Sequence, residues 1–224
     1  MERAKVYFTD FRTVAFGDGL PAKLKKLMHK AGIGEIDMDG KFVAIKLHFG
    51  ELGNISYLRP NYAKAVADVV KELGGKPFLT DCNTMYPGSR KNALEHLYCA
   101  WENGFTPLTV GCPILIGDGL KGTDDVAVPV EGGEYVKEAK IGRAVMDADV
   151  FISLSHFKGH ESTGFGGAIK NIALNAAFLA AEEDGPVTMR HILDSLRNEN
   201  LKRGKTMLNQ DFAEYGFLYE RPKA

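Results

Sequence analysis

Only three cysteines occur in the 224 residues, Cys82, Cys99 and Cys112, and no two of them stand in a C-x-x-C element. An iron–sulfur cluster gripped by one short segment needs thiolates a few residues apart, so no cluster is expected within this chain. The odd number and wide spacing also argue against a secreted disulfide framework, and the three are read as small buried hydrophobes. No run of ~18 apolar residues is present to span a membrane, and the start, Met1-Glu2-Arg3-Ala4-Lys5, lacks the apolar core of a signal peptide. A formal net charge of -1 and a pI near 6.6 leave no broad basic field for nucleic acid. Internal repeats and low-complexity linkers are missing too. The expectation is a cytoplasmic protein that engages neither membrane nor nucleic acid.

What is present is ordinary globular material, 45% hydrophobic and 25% charged. Apolar spacing predicts strands at 5–9, 42–47, 77–80, 113–116, 126–130 and 150–154, and helices at 20–31, 61–73, 93–102 and 141–146. Tyr7, Phe8 and Phe11 read as core aromatics. Gly74-Gly75 closes the second helix, and Ser89 and Asn92 are candidate N-caps before the third. This alternation implies an α/β fold, a largely parallel sheet with helices on both faces. The segment after residue 170 predicts a C-terminal helical hairpin, 169–183 and 188–202, broken at Asp184-Gly185-Pro186. Two regions follow, an α/β domain at 1–170 and a helical tail at 171–224.

The densest chemistry lies at 153–171, S-L-S-H-F-K-G-H-E-S-T-G-F-G-G-A-I-K-N, at an apparent strand-loop-helix junction where α/β folds place ligands. Gly164, Gly166 and Gly167 leave backbone N–H groups unobstructed at a helix start, and Lys158, Lys170, His156 and His160 offer positive charge or metal-ligating nitrogen. The reading is an anion or metal pocket; the bland alternative is a tight glycine turn with solvated histidines. Two histidines alone make an incomplete metal site.

Two more clusters fall at strand ends. Lys46, His48, Glu51 and Asn54 follow the second predicted strand, where imidazole and carboxylate suit proton transfer or metal binding, with a surface ion pair as the alternative. Asp81, Asn83, Tyr86 and Arg90 follow the third, and Arg90 has the fork to hold a carboxylate or phosphate. The loop at 117–125 lacks the oxygen spacing of a calcium loop and reads as a glycine-rich surface turn, as does 131–134.

The motifs I-K-L-H-F-G-E-L-G-N at 45–54, L-R-P at 58–60, L-T-D-C-N-T-M-Y-P-G-S-R at 79–90, and the 153–171 stretch stand in an order that resembles the domain-of-unknown-function family 362. Its members are often labelled uncharacterised iron–sulfur centre proteins, with a cysteine-rich ferredoxin-like module after this domain; this chain departs from that pattern. The resemblance implies a redox-associated protein with an electron-transfer partner. Residues 171–205 are similar instead to the helical lid of AAA-plus ATPases, and Gly166 to Asn171 fits both families, as a fused gene would. A lid alone carries no phosphate cradle, so no ATPase activity is expected. His160 to Lys170 is distantly similar to nucleotide-nickel lactate racemases, which would cast His48, His156 or His160 as acid–base groups and Lys158 or Lys170 as clamps. The expected function is binding of a small anion or a divalent metal at the strand-end crevice. The alternative is a non-catalytic fusion whose tail packs against a partner or a second copy.

Overall fold

A computed structural model describes residues 5–13, 15–131, 137–160, 164–165 and 167–168. The expected tail hairpin, Gly166, Lys170 and the turn around 132–134 lie outside them.

Four strands form the parallel sheet: β1 (Phe42–Lys46), β2 (Lys76–Asp81), β3 (Ile114–Ile116) and β6 (Val150–Ser153). β4 (Asp125–Pro129) and β5 (Glu138–Gly142) pair antiparallel as a hairpin, and β7 (Gly159–His160) with β8 (Gly164–Phe165) makes a smaller one. The helices are α1 (Leu20–Lys30), α2 (Pro60–Glu72), α3 (Ala93–Glu102), α4 (Pro107–Val110) and α5 (Arg143–Met146), with one 3-10 turn at Ile33–Glu35. The α/β class is thus observed, with helices packed around a four-stranded sheet.

Local chemistry explains where the main elements begin and end. Pro60 opens α2, where its missing N–H costs nothing. Ala63, Val66, Ala67 and Val70 then recur at helical spacing and bury one face against Val43, Ile45, Leu47 and Leu79. Gly74, at φ +79°, turns the chain out of the helix; a Cβ there would collide with Asp39 Oδ1. Asn92 caps α3 by accepting the Glu95 N–H at 3.1 Å, while Ser89 makes no cap.

The strand order is β3-β2-β1-β6. The chain moves from β1 outward to β3 and then returns to the other side of β1. The order therefore reverses between β1 and β6, and the crevice beyond their carboxyl ends is the topological switch point where such sheets bind ligands.

Three expectations are corrected. Residues 5–9 form no strand, and Val6, Phe8 and Phe11 are largely exposed, with Tyr7 also on the surface. β-branched and aromatic residues supply strand propensity but not a partner ladder, and neither edge of the four-stranded sheet pairs with them. The helix expected at 141–146 shrinks to Arg143–Met146, because Ala139 and Ile141 pair with Val128 and Val126 in the β4–β5 hairpin. Among the described residues no helix is long and apolar enough to cross a membrane.

Candidate binding cleft

A cavity of about 520 Å³ opens at the switch point. Its walls come from the segments after β1 (His48, Glu51, Asn54), after β2 (Cys82, Asn83, Tyr86) and after β6 (Ser155, His156, Lys158). Three sequence-distant clusters therefore meet in one cleft, because parallel strands carry their carboxyl ends to the same edge.

The floor is an ionic network. Lys46, 1% exposed on β1, places Nζ 2.9 Å from Asp81 Oδ1, and Arg90 Nη1 lies 3.3 Å from Asp81 Oδ2. Register brings this about: Lys46 stands opposite Thr80, one residue before Asp81. Arg90 also donates to Glu51 Oε1 through Nε at 2.9 Å and through Nη2, and Nη2 reaches the Tyr86 hydroxyl at 2.6 Å. The Tyr86 hydroxyl donates to Glu51 at 3.1 Å. Burial disfavours the charged form of Asp81, but Lys46, His96 and Arg90 outweigh it and hold the carboxyl well below the ordinary range. The Glu51 carboxyl is likewise held low: burial opposes ionisation, and the Arg90 hydrogen bonds overcome it.

His48 sits beside this network with Nδ1 accepting the Gly50 N–H at 2.8 Å. Burial first, then the positive charges of Arg90, Lys158 and Lys46 against the opposing charge of Asp81, bring its pKa down from 6.5 to about 4. On the other wall Asp118 accepts the Asn83 backbone N–H at 3.0 Å and its side-chain amide at 2.9 Å, while burial pushes the Asp118 carboxyl up. Asn83 Oδ1 and His156 Nδ1 are buried without a hydrogen-bond partner among the described residues.

The rim is cationic. Lys91, Lys121, Lys140 and Lys158 are exposed around the opening, and none forms an ion pair with another described residue.

His48, Asp81, Asn83, Tyr86, Arg90, His156, Lys158 and Gly167 all line the cavity as a group. Lys46 lies beneath it, spent on Asp81. His160 and Gly164 fall in the β7–β8 hairpin. Sequence reasoning missed Asp118, Lys121, Asp125 and Lys140: the loop read as a surface turn, together with the hairpin, forms a wall. The available signal was glycine. A Cβ on Gly142 would meet the Gly117 carbonyl oxygen at 2.7 Å, so the hairpin approaches the cleft this closely only because position 142 is bare.

Cys99 and Cys112 are buried as expected, whereas Cys82 is half-buried and lines the cleft. Burial pushes all three thiols up, Cys112 to about 11, so they stay protonated and poor as ligands or nucleophiles. Among the described residues no three His, Cys, Asp or Glu side chains are grouped to hold a metal ion.

Comparison with known proteins places these residues in a family. The chain is 29% identical over 163 residues to the thylakoid-associated protein sll1697 of Synechocystis sp., an alignment covering 68% of this chain and 45% of that protein. The chain thus spans less than half the length of the curated relative it matches. No solved structure matches it significantly. The model of the domain of unknown function DUF362 matches residues 43–178, from the first residues of β1 through every strand end that builds the cleft, and the chain belongs to that family.

Proposed function

We propose that this domain binds a small anionic molecule, bearing carboxylate or phosphate groups, in the cleft beyond β1, β2 and β6. The observation that carries the reading is the contrast of pairing within the cleft: Glu51 and Asp81 are engaged by Arg90 and Lys46, while four rim lysines have no ion pair among the described residues. Asp118 and Asp125 also line the cleft, so floor and lining together carry six cations (Lys46, Arg90, Lys91, Lys121, Lys140, Lys158) against four carboxylates (Glu51, Asp81, Asp118, Asp125), and positive charge is left over for a ligand. The buried, unpartnered Asn83 Oδ1 and His156 Nδ1 add polar positions that a ligand or its hydration can satisfy. A divalent metal is the other ligand class that the histidines favour, but the described side chains offer an anion more than they offer a cation.

The redox setting rests on the resemblance to iron–sulfur centre proteins. In this reading an electron-transfer partner holds the cluster, since Cys82, Cys99 and Cys112 do not form a ligand group. A cytoplasmic location, with a partner or a second copy bound, completes the proposal.

Thermal unfolding with citrate and with inorganic phosphate, each against sodium chloride at equal ionic strength, tests it. A ligand selective for the folded state raises the midpoint. The expected result is a rise with at least one anion that is strongly reduced in the Lys121→Ala/Lys158→Ala double variant, whose unliganded midpoint stays near wild type. No rise, or an equal rise in both proteins, overturns the proposal.

A further inference from the structure

We infer that His48 is a neutral hydrogen-bond donor to a ligand oxyanion, its proton fixed on Nε2, and not the acid–base group that its residue type suggests. This rests on the reading of the cleft as an anion site. The geometry begins in the backbone. Gly50 has φ +91°, and a Cβ there would meet Tyr57 Cδ1 at 2.7 Å and Asn103 Nδ2 at 2.8 Å. The turn is held on both sides: Asn103 donates to the Phe49 carbonyl at 3.0 Å, and the Cys99 thiol donates to the Gly50 carbonyl at 3.4 Å. The Gly50 N–H is therefore aimed in a set direction, at His48 Nδ1.

A ring nitrogen that accepts an N–H must carry a lone pair, and the single proton of a neutral imidazole then resides on Nε2. Protonating the ring would set the Nδ1 proton against the Gly50 proton. Burial of the ring pushes the same way, and the cations Arg90, Lys158 and Lys46 add to it against the carboxylates of Asp81 and Glu51. At neutral pH the ring therefore presents one N–H. Nε2 has no hydrogen-bond partner among the described residues, and His48 lines the cavity.

Such a nitrogen cannot remove a proton from a substrate, because it already holds one. It is suited to donate to an oxygen that carries or gains negative charge, beside the Lys158 ammonium, which makes no ion pair with another described residue. The ligand class is therefore one with a carboxylate, phosphate or enolate-like oxygen placed within reach of both His48 and Lys158.

Nitrogen-15 spectra of the imidazole rings, recorded on the wild-type protein from about pH 5 to about pH 8, decide the protonation state, with the His48 signals assigned by their loss in His48→Gln. One protonated Nε2 and one lone-pair Nδ1 are expected, unchanged across this range. An Nδ1–H tautomer, or an imidazolium near pH 6, overturns the inference. Affinities for citrate and phosphate test the donor role. His48→Gln retains a donor and is expected to stay within about threefold of wild type, while His48→Leu is expected to weaken the better anion by about tenfold, as for a lost hydrogen bond to a charged group. Equal affinity in all three proteins overturns the donor role. A wild type that binds neither anion overturns the cleft reading and the donor's target, while the spectra still decide the ring's protonation state on their own.

Discussion

The floor and the rim of the cleft hold similar charges under opposite conditions. On the floor Lys46, Arg90, Asp81 and Glu51 form a set of two cations and two carboxylates, three of them buried. At the rim four lysines stand in solvent without an ion pair among the described residues. Desolvated charges keep their positions only while their partners remain, so the floor belongs to the fold. Solvated charges cost little to hold and little to lose, so the rim lysines add little to the fold and, in the proposed reading, face the ligand. In that reading the floor would set a fixed field beneath the bound molecule and the rim would supply the charge that attracts it.

The largest expected effect comes from breaking the floor. Asp81→Ala leaves Lys46 and Arg90 without the carboxylate between them, and removing one partner of a buried pair costs about 3–5 kcal/mol. Urea unfolding of the purified variant measures it. A loss below about 1 kcal/mol would mean that water reaches Lys46 and that floor and rim do not differ in kind.

Acid separates the floor from His48. The Asp81 carboxyl is held below its ordinary value of 3.8, so its contribution is fully present above that pH and is lost only as pH falls through the lower folded-state value. His48 behaves differently. Its folded pKa of about 4 lies below the ordinary 6.5, so the unfolded chain takes up this proton first and stability falls as pH drops from 6.5 toward 4. The expected loss through this one ring is about 3 kcal/mol. The difference in unfolding free energy between wild type and His48→Gln should shrink or reverse over that window, and a difference independent of pH would remove His48 from the buried charge network.

Much of the floor was legible because strand ends announce themselves. Asp81 closes an apolar run, Arg90 precedes a capped helix, and His48 follows a buried strand, so each could be placed at one sheet edge without knowing its neighbours. Lys46 was placed at the same edge but assigned to the ligand; a lysine within a strand reads as available until the register shows Asp81 beside it. The far wall was less legible. Asp118, Lys121 and Lys140 reach the cleft through the β4–β5 hairpin and the contact of Gly142 with Gly117, a tertiary approach with no local periodicity behind it. The N-terminal aromatics failed for the converse reason: Tyr7, Phe8 and Phe11 have the composition of a core strand, but no strand accepts them.

The smallest expected change in stability is at the rim, where it is also the most diagnostic. Lys140 is exposed on β5 and makes no ion pair with another described residue, so Lys140→Ala should alter unfolding free energy by no more than about 0.5 kcal/mol. Its contribution should surface only with a bound anion, as a several-fold weaker affinity for citrate at low salt. Screening shortens the reach of an exposed charge to ~8 Å at physiological ionic strength, so the deficit should shrink as sodium chloride is added. Titration calorimetry at two salt concentrations, beside urea unfolding of the free protein, makes the comparison. If Lys140→Ala instead unfolds more easily by over about 1 kcal/mol while citrate affinity is unchanged, the rim lysine is part of the fold, and the division between a structural floor and a ligand-facing rim is wrong at that wall.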